Sequence, residues 1–311
     1  FSLSRGLGDV YKRQVESLKS KFSETEKYVP LPSTKFMEKT NIDNPQYFHK
    51  VVDCQYACPA HTNVPEYIRL IAQKKYTDAY MLNWESNVFP GILGRVCDRP
   101  CEPACRRGRT HEKSVAICRL KRVTYDYKDD VEKYIPQSPK VKNGKRIALI
   151  GAGPASLTVA RDLLPLGYEC TIFEKDHKAG GLMRTNIPSF RLPADVLDEE
   201  IYRIINMGAE LKLNSYIEKL KPVIDEYDSV FIGTGAPKGK DLKLKGREIS
   251  SENIHIGIDW LTSIAFEHVK KIGKKVIVIG GGNTAMDCCR SALRLGATDV
   301  KVTVRSPFSQ M

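Results

Sequence analysis

Two stretches of the chain carry the same order of apolar runs, glycine turns and amphipathic segments. Residues 145–175 (KRIALIGAGPASLTVARDLLPLGYECTIFEK) begin and end with short apolar runs, and residues 273–305 (GKKVIVIGGGNTAMDCCRSALRLGATDVKVTVR) repeat the arrangement. Short apolar runs bounded by glycine predict buried strands, and the periodic segment between them predicts a helix. The strands predicted in this way are 146–150, 169–174, 276–279 and 300–304. Alternating strands and helices of this kind predict an α/β fold with parallel sheets.

A helical pattern precedes these two stretches. Residues 63–84 (NVPEYIRLIAQKKYTDAYMLNW) have apolar positions at helical spacing and predict one or two amphipathic helices. Asn63 suits the N-cap and Pro65 suits the first turn. The expected apolar stripe consists of Ile68, Ile71 and Ala72. Cysteines flank this segment on both sides, so residues 40–130 are predicted to form a small helical, cysteine-rich domain.

The first glycine turn has the features of a dinucleotide site. A glycine at 151 allows a tight turn, a glycine at 153 lets a pyrophosphate approach the backbone, and the helix N-terminus favours an anion. Glu174 ends the second strand, where a carboxylate can accept hydrogen bonds from ribose hydroxyls. The turn residues assigned to the cofactor are Gly151, Gly153, Pro154, Ala155 and Ser156. The pattern predicts a Rossmann-like domain over residues 140–240; the alternative is an incidental glycine turn.

The second turn repeats this design as G-x-G-x-x-A, and Gly296 is the expected C-cap of its helix. Its second strand ends on Arg305 rather than on an acid, and a cation there suits the 2′-phosphate of NADP. We therefore expect FAD at the first turn and NADPH at the second, with NADH as the alternative. The residues assigned to this site are Gly280, Gly282, Asn283, Thr284, Ala285 and Arg305. The NAD(P)-binding domain is predicted over residues 241–311.

Two connecting segments are predicted to lie near the flavin. Residues 179–193 (AGGLMRTNIPSFRLP) would run from the first sheet toward the flavin ring, and residues 229–239 (SVFIGTGAPKG) read as a strand that enters a Gly-Thr-Gly turn. The residues assigned from these segments are Gly180, Gly181, Leu182, Arg191, Thr234 and Gly235.

Six of the nine cysteines lie between residues 54 and 118, and they are the candidate metal ligands. They are Cys54, Cys58, Cys97, Cys101, Cys105 and Cys118. Pro100 and Pro103 interrupt the C-x3-C-x3-C run and favour a looped backbone, whose amide N–H groups could reach cluster sulfides. The proline after the second cysteine resembles the C-P ending of ferredoxin-type motifs. The pattern predicts an iron–sulfur site.

Other uses of these cysteines stay open. Structural zinc sites usually show paired C-x2-C knuckles, and thioredoxin-type dithiols need C-x-x-C; neither spacing occurs in the chain. Inert buried cysteines are the remaining alternative, but six of them with interleaved prolines would be unusual in a core. Cys170, Cys288 and Cys289 lie within predicted strands and helices, where core packing is expected.

The net charge of +12 raises the question of a nucleic-acid partner. Much of it is local, because residues 94–125 hold nine lysines and arginines against three acids, around the cysteines. Cations in that position would stabilise an anionic cluster, so no nucleic-acid partner is predicted. No apolar run approaches the roughly 20 residues of a membrane span. Cysteine-rich chains without a secretion signal favour a reducing compartment, so we expect a cytoplasmic location.

The two ends of the sequence carry separate expectations. Residues 1–39 are predicted to be a tail, and residues 1–14 (FSLSRGLGDVYKRQ) resemble translated adaptor sequence, a probable sequencing artefact to be left out of fold prediction. The other end, VKVTVRSPFSQM, stops just after a strand-like run, so we expect the NAD(P) domain to be incomplete.

Seven segments together resemble the small (beta) subunit of glutamate synthase and the N-terminal region of dihydropyrimidine dehydrogenase. They are C-x3-C-P-A, GRVCDRPCEPACRRG, VAICRLKR, GAGPASL, GGLMRTNIPSFRLP, GTGAPKG and GGGNTAMDC, and they run from about residue 50 to the end. The resemblance implies a helical domain with two 4Fe-4S clusters, then an FAD domain into which an NADPH domain is inserted. It also implies that NADPH reduces FAD and that electrons leave through the clusters to a partner.

The resemblance further implies how the cysteines are shared. The cluster nearest the flavin would map onto Cys58, Cys97, Cys101 and a fourth, non-cysteine ligand near residue 121, a place that Cys118 could take. Cys54 and Cys105 would then belong to a second cluster. Two full clusters need about eight ligands and the region has six cysteines, so we expect one 4Fe-4S cluster, with an additional, incomplete second cluster as the alternative. The sequence departs from the family pattern at four positions. These are Gln46 and His49 in place of cysteines, Asn186 in place of a glycine, and Ser306 in place of a second arginine.

The function predicted is an NADPH-dependent oxidoreductase that passes electrons from FAD through a 4Fe-4S cluster to an electron-accepting large subunit or a ferredoxin-like acceptor. Hydride transfer between the cofactors needs no side-chain acid or base, so no catalytic residue is assigned. Two alternatives stay open. One is a stand-alone NAD(P)H reductase that serves ferredoxin or another small acceptor, and the other is a zinc-stabilised, basic nucleic-acid-binding module.

Overall fold

The computed structural model describes residues 52–110, 113–242 and 245–307. The chain divides into two units. The described residues up to 303 belong to one unit, and residues 304–307 belong to the other. Within the described residues, no helix is both long and apolar enough to cross a bilayer. The predicted tail, Gln46 and His49 lie outside the described residues.

The cysteine-rich region folds into short helices joined by tight turns. They are α1 (Asp53–Ala57), α2 (Val64–Ala72), α3 (Tyr76–Ser86), α4 (Pro90–Val96), α5 (Arg107–Thr110) and α6 (Ile117–Asp126), followed by a 3-10 turn at Glu132–Tyr134. The Oδ1 atom of Asn63 accepts a hydrogen bond from the Glu66 amide at 3.3 Å, which confirms the predicted N-cap of α2. The segment between Cys97 and Cys105 is non-helical, as its prolines predicted.

One detail of the predicted stripe is wrong. Ala72 is exposed, whereas Val64 and Tyr67 are buried and Ile68 and Ile71 pack against the same small core. The buried face of α2 therefore follows positions i, i+3, i+4 and i+7 from Val64, and Ala72 lies one position beyond it.

Helices α4 and α6 pack closely because α4 presents glycines to α6. A Cβ atom at Gly91 would lie 2.3 Å from the ring of Tyr125, and one at Gly94 would lie 2.7 Å from the Cα atom of Arg122. The two helices therefore approach to a distance that only glycine allows. This contact fixes the position of Cys97, at the C-terminal end of α4, relative to Cys118 on α6.

The first nucleotide-type domain is built on a four-stranded parallel sheet in the order β3-β2-β1-β4. Its strands are β1 (Arg146–Ile150), β2 (Glu169–Phe173), β3 (Glu210–Lys212) and β4 (Ser229–Ile232). Its helices are α7 (Pro154–Leu163), α8 (Leu182–Thr185), α9 (Ala194–Ile205) and α10 (Leu220–Glu226), with a 3-10 turn at Leu164–Leu166. The sheet confirms the predicted α/β class, and four apolar residues of β1 are buried.

The second nucleotide-type domain is smaller within the described residues. A 3-10 turn (Ser251–Asn253) leads into α11 (Gly257–Ala265), β5 (Lys275–Ile279), α12 (Asn283–Arg294) and β6 (Asp299–Thr303), and the two strands pair in parallel. Gly296 follows α12 with a φ of +99°, which confirms the expected helix end. Trp260, Leu261, Cys288 and Ala292 form its core, so the predicted core role of Cys288 is confirmed.

The cysteine-rich domain and the first sheet share one hydrophobic core. Tyr80, Trp84 and Ile92 from the helical domain pack in the same cluster as Leu149 and Ile201 from the α/β domain. Cys170 is buried in this cluster, as predicted. Because this apolar interior is continuous, helices α3 and α4 and the strand that precedes the first glycine turn are parts of one packed body.

Candidate functional site

The first glycine turn lies where the carboxyl ends of three strands meet. The amide of Gly151 donates to the carbonyl of Phe173 at 2.7 Å, and the amide of Gly233 donates to the carbonyl of Ile150 at 2.9 Å. Gly151 has a φ of +93°, and a Cβ atom there would lie 2.7 Å from the oxygen of Gly233. Position 151 therefore requires glycine for both its backbone and its space.

The segment after β2 closes over this turn. The amide of Gly180 donates to the carbonyl of Ala152 at 2.9 Å. Gly181 has a φ of +52°, and a Cβ atom there would lie 2.9 Å from the Cα atom of Gly153. A Cβ atom at Gly153 itself would meet nothing closer than 4.0 Å. Space therefore remains beside the N-terminus of α7, where a pyrophosphate would fit.

Glu174 is buried and points into the same turn. Its Oε2 atom accepts a hydrogen bond from the Ala152 amide at 2.8 Å, and its Oε1 atom accepts one from the Asp176 amide at 3.1 Å. Ser156, the third residue of the motif, is fully buried and packs against Gly233. The carboxylate thus holds the turn in shape, and its contact with a ribose stays a prediction.

Most of the residues assigned to the flavin converge at this edge of the sheet. Gly151–Ser156, Glu174 and Gly180–Gly181 are joined by the contacts above. Thr234 follows Gly233 at the end of β4, with its Cα atom 3.3 Å from where a Gly151 side chain would begin. Leu182, Thr234 and Gly235 are exposed. This geometry suits an extended dinucleotide, and the contacts of the individual residues with it stay predictions.

Arg191 has a protein partner, the buried carboxylate of Asp287 on α12. The adjacent ring of Phe190 lies 3.9 Å from the guanidinium carbon of Arg294. The side-chain amide of Asn186 donates to the carbonyl of Ile258 at 3.2 Å. The segment that carries Arg191 therefore connects the first domain to the second, and its predicted contact with a cofactor stays a prediction.

The second glycine turn has a similar backbone in an open setting. Gly280 has a φ of +130°, and its amide donates to the carbonyl of Thr303 at 2.8 Å. A Cβ atom at Gly282 would meet nothing within 4 Å, and Asn283 and Thr284 are exposed at the start of α12. The N-terminus of this helix is free to receive a phosphate. Arg305 belongs to the other unit of the chain, so its predicted role stays a prediction.

The thiols of the cysteine-rich domain form two sets whose members shift each other's pKa. One set holds Cys58, Cys97, Cys101 and Cys118, and the other holds Cys54 and Cys105. The pKa of Cys101 is raised to about 11, chiefly by burial; Lys121 acts in the opposite direction, and Cys97 and Cys58 contribute to the increase. Burial raises the pKa of Cys118 too, with Cys97 adding to the increase and Lys121 reducing it. The pKa of Cys54 is raised by burial and then by Cys105.

Backbone groups surround the first of these sets. Burial raises the pKa of Cys58, but amides of Thr62 and Ala60 and the Thr62 hydroxyl bring it below its ordinary value. The amide of Arg99 donates to the sulfur of Cys97 at 3.4 Å. Cys118 lies against α4, and its thiol donates to the carbonyl of Gly94 at 3.4 Å.

Two buried polar side chains stand among these thiols, and the sequence did not single either of them out. Tyr67 is fully buried and donates to the carbonyl of Ile117 at 3.1 Å; burial first, and then the thiols of Cys101, Cys118, Cys54 and Cys58, raise its pKa. Lys121 is buried on α6, three residues after Cys118. The signal for Lys121 was the spacing in CRLK, which places it on the face of Cys118.

The donor set is suited to an iron–sulfur cluster. Six thiols lie in this region, and cysteine thiolates are the usual ligands of such clusters. Amides that donate to sulfur and a buried cation are suited to an anionic cluster.

A buried carboxylate ties the cysteine-rich domain to the α/β domain. Glu200, on α9, accepts hydrogen bonds from the amides of Gly91 and Ile92 at 2.7 and 2.9 Å and from the hydroxyl of Tyr80 at 3.1 Å. Burial raises the pKa of Glu200 to about 7, although these donors act in the opposite direction. The amides belong to the first turn of α4, the helix that ends at Cys97.

Charged neighbours extend this contact. Arg203 donates to the Tyr80 hydroxyl at 2.8 Å and pairs with Glu199 at 2.5 Å. Lys128 also pairs with Glu199 at 2.8 Å. On the same helix as Glu200, Asp198 pairs with Arg184 of the segment that covers the first glycine turn. Helix α9 therefore contacts both the nucleotide edge and the helix that carries Cys97.

Two family models match the chain. Residues 47–133 match dihydropyrimidine dehydrogenase domain II, 4Fe-4S cluster, and residues 145–308 match pyridine nucleotide-disulphide oxidoreductase. The predicted order of a helical iron–sulfur domain followed by Rossmann-like domains is confirmed by these matches. The individual domain boundaries and site residues stay predictions.

Several curated proteins are similar over most of the chain. The NADPH-Fe(3+) oxidoreductase subunit beta of Geobacter sulfurreducens is 35% identical over 88% of this chain and 42% of its own length. The NADP(+)-dependent formate dehydrogenase subunit beta of Moorella thermoacetica is 35% identical over 83% of this chain and 40% of its own. The glutamate synthase [NADPH] small chain of Azospirillum brasilense is 32% identical over 83% and 57%. The chain thus spans only about half the length of these relatives.

Among solved structures, 2-naphthoyl-CoA reductase in complex with 2-naphthoyl-CoA aligns with a TM-score of 0.44 at 24% identity, over 70% of this chain and 33% of that one. FprA of Mycobacterium tuberculosis in complex with NADPH aligns with a TM-score of 0.43 at 18% identity, over 51% and 43%.

The resemblance to glutamate synthase small subunits and to dihydropyrimidine dehydrogenase, read from the motifs, is confirmed by the matching models and relatives. The second model covers more than half of the residues. The chain therefore belongs to the pyridine nucleotide-disulphide oxidoreductase family, and a region that matches the 4Fe-4S domain of dihydropyrimidine dehydrogenase precedes the family domain.

Proposed function

We propose that the protein is an NADPH-dependent oxidoreductase of the glutamate synthase small-subunit type, which sends electrons from NADPH through FAD and a 4Fe-4S cluster to an acceptor. The observation that carries this proposal is the double contact of α9. Its Asp198 pairs with Arg184 beside the first glycine turn, and its Glu200 binds the first turn of the helix that ends at Cys97. Within residues 49–303, this helix connects the predicted flavin edge to the predicted cluster ligands.

In the first site, Gly151 allows the tight turn, Gly153 leaves room for the pyrophosphate of FAD at the N-terminus of α7, and Glu174 holds the turn. Gly280 and Gly282 do the same for NADPH at α12. Bound flavin supplies the chemistry, because it accepts a hydride and releases electrons one at a time. No side-chain acid or base is assigned to this transfer.

The thiols of Cys58, Cys97, Cys101 and Cys118 would hold the cluster nearest the flavin domain. The amides around Cys58 and Cys97 would donate to its sulfurs, and the core that holds Tyr67 would exclude water. A second cluster would require Cys54 and Cys105, whose thiols interact with each other.

The acceptor is proposed to be a large partner subunit. Three relatives are named as subunits or chains, and this chain corresponds to only part of each of them. A stand-alone reductase for ferredoxin or another small acceptor is the second candidate. A zinc-stabilised nucleic-acid-binding module is the third, and the family membership argues against it. The cytoplasmic location stays a prediction from the sequence.

The experiment is a cofactor count on anaerobically purified full-length protein, with a matched pair of cysteine variants. Cys97→Ser is expected to lose iron and sulfide and to keep flavin. Cys289→Ser, which changes a half-buried thiol in the second domain, is expected to keep all three. Zinc in place of iron, or equal losses in both variants, would contradict the proposal.

A further inference from the structure

Lys121 is a buried cation in the middle of the cysteine-rich domain. Only 5% of the residue is exposed, and it lies on the same buried face of α6 as Cys118, Thr124 and Tyr125. The basic residues beside it in the sequence are not buried. Arg119 and Arg122 are exposed, and Arg122 pairs with Asp126 at 2.9 Å. The fold therefore turns one cation of this helix inward while the others face water.

A buried ammonium group is costly unless a negative charge compensates it. In the described part of the chain, no carboxylate forms an ion pair with Lys121. The groups that its charge influences are thiols, because it lowers the pKa of Cys58, Cys101 and Cys118 against the effects of burial. These are three of the four residues that would hold the cluster nearest the flavin domain.

We propose that Lys121 is a charge partner of this cluster and raises its reduction potential without ligating iron. The inference rests on the proposed function, since it requires the cluster. Each reduction adds one electron, which the reduced flavin donates, and the negative charge of the cluster increases by that electron. A fixed cation nearby stabilises the more negative state and therefore favours reduction.

Lys121 lies where the family resemblance implies a fourth, non-cysteine ligand of the cluster. Cys118, one turn earlier on the same face, supplies a thiol, so iron coordination does not need the amine. The packing of α6 against Gly91 and Gly94 of α4 holds both side chains in position relative to Cys97. Lys121 is thus a positioning and tuning residue rather than a catalytic one.

The test is an anaerobic redox titration of the full-length protein, followed by electron paramagnetic resonance, with iron and sulfide counted in every sample. Lys121→Met removes the charge and keeps the length of the side chain. Lys121→Gln is the second neutral variant and Lys121→Arg keeps the charge. Arg119→Gln is the matched control, because it removes an exposed charge two residues away on the same helix.

Lys121→Met and Lys121→Gln are expected to keep iron and sulfide and to lower the ratio of reduced to oxidised cluster about tenfold at a fixed potential, which is about 59 mV for a one-electron couple. Lys121→Arg is expected to stay near the wild type. Arg119→Gln is expected to change the ratio by less than about twofold, because water and salt screen an exposed charge.

An unchanged potential in both neutral variants, with iron and sulfide retained, would overturn the inference. If both neutral variants lost the cluster while Lys121→Arg kept it, the charge would be needed for the cluster, which supports the inference. If Lys121→Arg lost it as well, a role as ligand or spacer would replace the one proposed. Absence of iron and sulfide from the wild type would instead contradict the proposed function.

Discussion

The two glycine turns of the molecule share a backbone and differ in their surroundings. Gly153 and Gly282 have nearly the same dihedral angles, with φ and ψ of −82° and 179° in the first and −81° and 176° in the second. Around the first turn the backbone is close on two sides. A Cβ atom at Gly181 would lie 2.9 Å from the Cα atom of Gly153, and one at Gly151 would lie 2.7 Å from the oxygen of Gly233. Around the second, no described residue comes within 4 Å of a Cβ atom placed at Gly282.

The sheets behind the turns differ in the same way. Four of the five residues of β1 are buried, whereas β5 alternates between exposed and half-buried positions, with Ile277 67% exposed. The comparison shows that the turn itself is a local property of strand, glycines and helix. The enclosure of the turn comes from segments far away in sequence, such as the one after β2 and the end of β4.

The largest loss of stability is expected from alanine at the first glycine of the first turn, and the same substitution in the second turn should cost less. Gly151→Ala adds a methyl group 2.7 Å from the oxygen of Gly233 at a φ of +93°, whereas Gly280→Ala at +130° meets only Ala285 at 3.7 Å. Strain and overpacking together should lower the free energy of unfolding by about 3 kcal/mol or more at position 151. Strain alone should cost about 1–2 kcal/mol at position 280. Denaturant unfolding measures both, and equal losses would contradict the difference in enclosure.

The ion pair of Arg191 with Asp287, which joins the two nucleotide-type domains, should have the next largest effect on stability. Arg191→Ala leaves the buried carboxylate of Asp287 without its partner and should cost about 2–3 kcal/mol of unfolding free energy. Asp287→Ala leaves Arg191, whose side chain is 27% exposed and can reach water, and should cost about 1 kcal/mol. Thermal or denaturant unfolding of the two variants tests this order. A larger loss for Asp287→Ala would show that the pair is not arranged as described.

The hydrogen bonds of Glu200 to the cysteine-rich domain should make the stability of the fold depend on pH. The pKa of Glu200 is raised to about 7 from its ordinary 4.5, so its contribution to stability is full below about pH 4.5 and is lost as the pH rises through about 7. Glu200→Gln lacks this titration and loses a hydrogen-bond acceptor, so it should be less stable than the wild type by about 2 kcal/mol near pH 5. The difference should shrink toward about pH 8.

Glu199 supplies the internal control for this pH dependence. Burial raises its pKa, but Lys128, Tyr125 and Arg203 bring it down to about 2, so its contribution is lost only as the pH falls from 4.5 toward 2. Unfolding curves at several pH values separate the two residues. A wild-type advantage over Glu200→Gln that grew between about pH 5 and pH 8 would contradict the assignment.

The smallest effects on stability are expected at the two open glycines. Gly153→Ala and Gly282→Ala have room for a methyl group at ordinary dihedral angles, so each should change the free energy of unfolding by less than about 0.5 kcal/mol. Each substitution should weaken the binding of one cofactor and leave the other unchanged. The first variant is expected to lose flavin and the second to lose affinity for NADPH, each by about tenfold or more.

Flavin retention and NADPH titration measure these changes. A loss of NADPH affinity in Gly153→Ala, or of flavin in Gly282→Ala, would show that the two turns do not serve separate cofactors.

Features set by nearby residues could be predicted from the sequence. The strands at 146–150 and 276–279, the helix caps at Asn63 and Gly296, and the looped run between Cys97 and Cys105 all follow from short patterns of apolar residues, glycine and proline. The matching family models confirm the class of fold and the order of domains.

Features set by distant residues could not be predicted from it. Glu200 lies on an amphipathic helix with no sign that its carboxylate binds amides more than a hundred residues earlier. Arg191 looked like a cofactor ligand and has a partner, Asp287, that only the folded chain brings near. The spacing in CRLK places Lys121 on the face of Cys118, but it does not show that this cation is buried while Arg119 and Arg122 are exposed.

We propose that one polypeptide carries electrons from NADPH through flavin to a cluster held by Cys97. NADPH added to anaerobic full-length protein tests this, with flavin absorbance and the electron paramagnetic resonance of the cluster followed together. We expect that the flavin bleaches and that a reduced-cluster signal follows, and that Cys97→Ser keeps the bleaching but lacks the signal. A bleached flavin beside an iron–sulfur cluster that stays oxidised in the wild type would contradict it.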